Sequence, residues 1–387
     1  MPPRPERAWS ARHAAPIQGA LHFVVDATSV GTTMAAIGLH GLTLEEGYGL
    51  VLAYDLLAFA PQFAIGLVTD RLRAPRPVLQ AGLVLIALGA GLLPFGPVLA
   101  MVLVGLGNAL FHVGASVFAL SVAPQRAAPA GVFVAPGALG LGLGMWLGNR
   151  GAFEPWPFIA ALGVCLGVAS VVQSPELPYP AAGTGTASRT ASDAAPAPRV
   201  RPTEPALGAA WLVVSLLCLS IAVRAFVGMG GSYACPKGSL VALGLPLAAF
   251  GGKALGGWLA DRLGWVETGV GALVVSAPLI AFGGAHTEVV LAGLFFFQMT
   301  MPVTLAAAVR VTPARPGFAF GLTCLALVSG SLPSFLDGTR TLYGPPLFLG
   351  LVLASAAALY AALRLLGARV PERKGARATR ASVAQSA

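Results

Sequence analysis

Charge is what this chain has least of. Only 10% of its 387 residues are Asp, Glu, Lys or Arg, against about 25% in an ordinary soluble domain, while 56% are hydrophobic. That imbalance excludes a water-soluble globule and identifies an integral membrane protein. Cysteine is scarce as well. Cys165, Cys218, Cys235 and Cys324 are dispersed, with no C-x-x-C pair and no zinc spacing, so they read as small apolar packing residues; no cofactor or metal role follows. Walker, HExxH and GxSxG sequences are all missing, and no segment between apolar runs is large enough to fold an ATP-hydrolysing domain, so the chain is not read as an enzyme. Basic residues do outnumber acidic ones, 24 to 15. They scatter over tails and short loops instead of forming a face, which removes nucleic acid as a partner.

What the chain has in abundance is long apolar runs. A membrane-spanning helix needs about 20 such residues at ~1.5 Å each, and that ruler finds twelve: 17–39, 47–69, 78–95, 98–122, 129–149, 155–173, 207–229, 239–261, 266–284, 287–310, 316–338 and 343–366. The fold class expected is therefore all-α integral membrane. Residues 1–16 are basic and proline-broken, and the apolar run after them contains Asp26 and continues past signal-peptide length without a small-residue cleavage site; they are expected to be a retained cytoplasmic tail. Residues 174–206, rich in Pro, Ala, Ser and Thr, read as a flexible cytoplasmic linker. The organisation expected is a six-helix bundle at 17–173, the linker, a second six-helix bundle at 207–366 and a basic cytoplasmic tail at 367–387. Positive charge sets the orientation. With both termini inside, Arg4, Arg7, Arg12, Arg71, Arg73, Arg76, Arg126, Arg189, Arg199, Arg201, Arg262, Arg310 and Arg315 fall on the cytoplasmic side, and only Arg150, Lys237 and Arg340 on the other.

The two halves repeat a short phrase. Gly66 to Leu72 reads GLVTDRL at the end of the second span, and Gly257 to Leu263 reads GWLADRL at the end of the eighth. A twelve-span chain with an Asp-Arg pair in register in both halves resembles the major facilitator superfamily. The resemblance implies two pseudo-symmetric six-helix bundles and alternating access. It also makes Gly66, Asp70, Arg71, Gly257, Asp261 and Arg262 a gating motif, whose carboxylates hold or release neighbouring helix ends on the cytoplasmic face. In the first half, LHFVVDATS with His22 and Asp26, GLGNALFHVGAS from Gly105 to Ser116, and FVAPGALGLGLG from Phe133 to Gly144 are similar to the fosmidomycin-resistance-like branch of drug-efflux facilitators. Val113 stands where that branch usually has Pro, and Met145 follows Gly144 where antiporters usually have Gly-Pro. That branch implies a bacterial inner membrane and proton-coupled export.

Ionisable groups inside a span cost about 2.5–3.5 kcal/mol at a helix centre, and each is a functional hypothesis by default. They are His22, Asp26, Asp55, His112, Arg224 and Lys253. Counting ~1.5 Å per residue from the cytoplasmic helix ends puts Asp26 ~13 Å in and Lys253 ~12 Å in, with Asp55 ~22 Å and Arg224 ~25 Å in. Two charge pairs across the halves are therefore expected, Asp26 with Lys253 and Asp55 with Arg224; plain mutual neutralisation explains the same residues. His22, four residues before Asp26, is expected to orient it. His112 reads equally as a proton or substrate group and as an interhelical hydrogen-bonder. Asn108 and Gln298 are candidate cavity polar groups. Glycines in GALGLGLGMWLGN on the fifth span and GGKALGG on the eighth let those helices approach closely. The function expected is secondary transport of a small organic solute, anionic or zwitterionic because of Arg224 and Lys253, with a proton as coupling ion and Asp26 its first candidate carrier. Import of an organic anion and a non-transporting receptor are the alternatives, and a monomer is expected.

Overall fold

The computed structural model describes residues 5–171, 177, 207–234, 239–284, 286–336 and 338–367. The expected linker and C-terminal tail lie outside the described residues, save Leu177 and Gly367. Every regular element among the described residues is helical: α1 (Pro5–Leu39), α2 (Leu44–Phe59), α3 (Gln62–Leu72), α4 (Pro75–Gly91), α5 (Pro97–Ser121), α6 (Ala128–Asn149), α7 (Pro155–Val171), α8 (Leu207–Ala234), α9 (Ser239–Leu263), α10 (Trp265–Phe282), α11 (Thr287–Gln298), α12 (Thr300–Val311), α13 (Pro316–Ser331) and α14 (Pro345–Gly367).

These helices make twelve spans, because α2 with α3 and α11 with α12 are each one span broken in the middle. Proline explains both breaks. Pro61 has no N–H to return to Leu57, and Pro302 has none to return to Gln298, so each ring also displaces the carbonyl one turn back. Pro16, by contrast, sits inside α1 without ending it, and the first helix begins at Pro5, well before the expected residue 17. The start of the second span is set by a capping box: the Thr43 N–H donates to Glu46 Oε2 at 2.8 Å, and the Glu46 N–H donates to the Thr43 hydroxyl at 3.3 Å.

Each half has its own packing. In the first, α1 lies along α6 and α5, and α4 along α5; in the second, α14 lies along α8 and α10. The halves meet where α6 packs on α9 and α3 packs on α13. Small residues permit both contacts. A Cβ on Gly66 would lie 2.3 Å from the Gly317 carbonyl oxygen, and one on Gly131 would lie 2.6 Å from that of Lys253. On the other side of the Pro61 break α13 has little contact with α2. Along α3 and α13 the seam is thus tightest at the face that carries the short basic loops, whereas α6 stays against α9 further along, where a Cβ on Gly142 would lie 2.2 Å from the Pro246 ring.

Candidate functional site

Three layers stack inward from that face. The outermost consists of two carboxylates that cross the seam. Helices α6 and α13 start without a side-chain cap of their own, at Ala127 and Arg315, and a helix start leaves backbone N–H groups without partners. The opposite half supplies the missing acceptors. Asp261, at the end of α9, accepts from the N–H groups of Ala127 at 2.6 Å and Ala128 at 3.1 Å, and from Arg126 Nε at 3.1 Å. Asp70, at the end of α3, accepts from the N–H groups of Gly317 at 3.1 Å and Phe318 at 2.8 Å. A negative charge at a helix N-terminus also meets the positive end of the helix dipole. Gly66 and Gly257 make the approach possible, since a Cβ on Gly257 would lie 2.8 Å from the Ala127 carbonyl oxygen. The arginines of the motif turn away: Arg262 lies 3.6 Å over the Trp258 ring, and Arg71 is exposed.

The second layer is aromatic. Phe133 of the first half and Phe320 of the second lie with ring centroids 6.1 Å apart, and Phe320 also stacks at 6.4 Å on the ring of His112. Both phenylalanines sit one to two turns in from their helix starts, between the carboxylate contacts and the polar centre.

The third layer is that polar centre, and its first-half part is tightly knit. His22 Nε2 lies 3.0 Å from Asp26 Oδ2, as the spacing of four residues on one helix implies. His112 Nε2, from α5, lies 3.6 Å from Asp26 Oδ1, and Asn108 Nδ2 donates to the same oxygen at 3.2 Å. His22 Nδ1 donates to the Phe133 carbonyl at 2.9 Å, and His112 Nδ1 donates to the Asn108 carbonyl at 2.9 Å. A carbonyl oxygen can only accept, so both Nδ1 atoms carry hydrogen and both Nε2 atoms point inward. Those two Nε2 atoms are 2.7 Å apart. His22, Asp26 and His112 also have the atoms to hold a metal ion, all within 4.8 Å of one another. However, two nitrogens on one tetrahedral ion at ~2.0–2.1 Å stand roughly 3.3 Å apart; at 2.7 Å the geometry is that of a hydrogen bond.

The second-half part is sparse. Arg224 of α8 is 8% exposed and donates from its two terminal nitrogens to the hydroxyls of Thr300 and Thr304 on α12, the second at 3.2 Å. Its Nε is buried without a partner. Lys253 on α9 makes no hydrogen bond or ion pair with the described residues, yet lies within electrostatic reach of Asp26 and His112. Gln298, at the break between α11 and α12, backs onto Gly252, where a Cβ would stand 3.0 Å from its own.

Neither expected charge pair forms among the described residues. Asp26 is already occupied by the two histidines and Asn108, so Lys253 stands off from it. Asp55 is half-buried and bonded to nothing described. Arg224 misses it because side chains on a helix tilt toward the N-terminus, which for α8 is the basic face. Counting ~1.5 Å per residue from Val311, Thr300 and Thr304 lie ~16 and ~10 Å deep; on the same ruler His112 lies ~14 Å from Ser121, and Lys253 lies ~15 Å from Leu263. Arg224 therefore joins Lys253 and the histidine cluster in one layer rather than lying nearer the far side. Sequence reading missed Thr300 and Thr304, although two threonines four residues apart beside an intramembrane proline are a legible signal. For Phe133 and Phe320 there was none.

No family model matches the chain, and no curated protein matches it in sequence. Solved structures do match its fold. The fucose:proton symporter FucP of E. coli, in a single-site variant form, superposes with a TM-score of 0.65 at 13% identity, covering 93% of this chain and 99% of that one. The human organic anion transporter MFSD10 gives 0.63 at 15% identity over 94% and 100%. A bacterial homologue of the iron transporter ferroportin, in an outward-facing state, gives 0.56 at 14% over 92% and 99%. The chain therefore has the major facilitator fold, as two pseudo-symmetric six-helix bundles.

Proposed function

We propose that this protein is a secondary active transporter that moves a small organic anion or zwitterion across a bacterial inner membrane by alternating access, coupled to protons and in the direction of export. One observation carries the reading. The Arg224 guanidinium is buried in a membrane span and, among the described residues, has hydroxyls as its bonded neighbours, an orphaned Nε and no carboxylate in contact. A charge in that position is costly until an anion reaches it. A carboxylate or phosphonate seated between Arg224 and Lys253 would neutralise both cations and give the Nε its acceptor.

Alternating access then follows from the layers. With the termini cytoplasmic, the face sealed by Asp70 and Asp261 is the inner one, and the site loads from outside or releases to it. An anion that draws Lys253 toward itself takes positive charge away from Asp26 and the histidines, which changes the hold on a proton there. Proton and substrate are in this way coupled through one lysine, without touching. In fold, the chain is similar to a proton symporter and to an organic anion transporter, which agrees with both parts of the reading.

Counterflow of small carboxylates and phosphonates in proteoliposomes, with and without an imposed pH gradient, is the test. Anion exchange stimulated by an opposed proton gradient supports the proposal. The second reading is proton-coupled import, favoured by the two intramembrane cations and by Met145 in place of a Gly-Pro pair; uptake driven by an inward proton gradient would establish it. Absence of flux across a broad anion panel would leave a receptor with the transporter fold.

A further inference from the structure

The hydrogen bonds of the first-half centre leave one contact short of a hydrogen. His22 and His112 each spend the Nδ1 hydrogen on a backbone carbonyl, that of Phe133 and that of Asn108. If both rings were neutral, both Nε2 atoms would be bare lone pairs, and they lie 2.7 Å apart between rings that meet edge to face with centroids 4.4 Å apart. Two lone pairs repel at that distance; an N–H···N bond is the arrangement that fits it. Moving the extra hydrogen onto Asp26 does not help. A protonated Asp26 Oδ2 could donate to His22 Nε2 across 3.0 Å, but the contact between the two nitrogens would still hold none.

We infer that His22 and His112 share one proton between their Nε2 atoms in this state, with Asp26 as the counter-ion that holds it there. The inference deepens the proposed function and rests on it for its meaning: the coupling proton rides on the imidazole pair, and Asp26 and Asn108 position it. The charge count agrees, since one imidazolium and one carboxylate sum to zero in a site walled by Phe111, Phe133 and Phe320. The charged or titratable neighbours are Asp26 on α1, Tyr54 on α2 and Lys253 on α9, the last two within electrostatic reach. Phe320 belongs to the other half, so opening the inner face strips an aromatic ring from His112. The proton is thereby shielded from the inner face while that face is shut.

Nitrogen spectroscopy tests this without needing a substrate. Chelator-treated protein, labelled with 15N in histidine and held in lipid nanodiscs at about pH 7.5, should show both Nδ1 atoms protonated and one further N–H split by coupling to a second imidazole nitrogen. His22→Gln and His112→Gln, checked for folding by gel filtration, should each abolish that bridged signal and assign it. The wild-type spectrum decides the matter even if both variants misfold. Two bare Nε2 signals, or either ring protonated on Nε2 with a bare Nδ1, overturn the inference. Anion counterflow tells its fate apart from that of the transporter reading: a bridged proton with no flux removes the transporter and leaves the pair, and flux with bare nitrogens does the reverse.

Discussion

The two halves of this molecule solve the problem of intramembrane charge in opposite ways. In the first half, Asp26 is surrounded by His22, His112 and Asn108, all within 3.6 Å, so the charge is answered on the spot. In the second, Arg224 has two threonine hydroxyls and an empty Nε, while Lys253 has no bonded partner among the described residues. A charge met by neighbouring donors stabilises one arrangement, even though Asn108 Oδ1 is left without a partner; a buried cation without a counter-charge is costly until an anion reaches it. On the function proposed above, the asymmetry would divide labour, with a proton centre in the first half and an anion centre in the second.

Breaking the second half should have the largest effect. Arg224→Gln is expected to lower anion counterflow by ~10- to 150-fold, because a buried charge-assisted contact to the substrate is lost outright and such contacts contribute about 1.5–3 kcal/mol each. Arg224→Lys should fall between, since an ammonium cannot reproduce the planar fork that spans Thr300, Thr304 and a ligand. Melting temperature is measured alongside. If flux survives Arg224→Gln while the protein melts lower, the guanidinium only braces α8 against α12, and the comparison collapses into two structural clusters.

Lys253→Gln comes next, at about 10-fold on flux. It also carries a sharper signature, because the same lysine lies within reach of Asp26 and His112. The pH dependence of counterflow should shift in the variant. An unaltered pH profile in a well-folded protein would separate the two centres and remove the lysine from coupling.

Much of this was legible in the sequence, and what was not has a physical cause. The twelve spans follow from hydropathy, because the bilayer fixes how long an apolar run must be. The position of Asp70 and Asp261 was legible too, since a repeated Asp-Arg at a span end announces a charge placed for a helix terminus, and both carboxylates accept from helix-start N–H groups of the other half. His22 with Asp26 followed from four-residue spacing. The charge pairs failed for a reason that no ruler along a helix axis contains: height was counted at the backbone, and a long arginine reaches back by several ångströms toward its helix N-terminus. The opposition of His22 and His112 was equally hidden. It depends on how α1 and α5 are rotated about their axes, which tertiary packing of small residues decides; Gly137, where a Cβ would stand 2.3 Å from His22 Nε2, is one such residue.

The carboxylate contacts join the halves at a smaller scale. Asp261 collects three donors, including Arg126, and Asp70 is held by two backbone N–H groups of α13 among its contacts. Asp261→Asn and Asp70→Asn should each tilt the equilibrium toward an open basic face by about 5-fold, since roughly 1 kcal/mol is lost when a charged acceptor becomes neutral. Labelling of Ala130→Cys by an impermeant maleimide from that face, in a background without other cysteines, measures the shift. Ala130 is buried and directly precedes Gly131, which lies against Lys253 and Gly257 of the other half, so faster labelling is the expected mark of a parted seam. Equal rates in the parent and both variants would show that glycine packing alone seals the face.

Asp55 should matter least. It stands on α2, beyond the Pro61 break, half-buried and without a bonded partner among the described residues. Asp55→Asn keeps its shape and removes only a carboxylate that no described residue pairs, so flux should stay within ~3-fold and melting temperature should hold or rise by the small margin expected when an unpaired charge leaves an apolar site. This near-silent substitution is the strictest check on the division between the halves. If Asp55→Asn uncouples flux from the pH gradient, the proton travels on a carboxylate nearer the far side, and the imidazole pair becomes a hydrogen-bonded brace for α1 and α5.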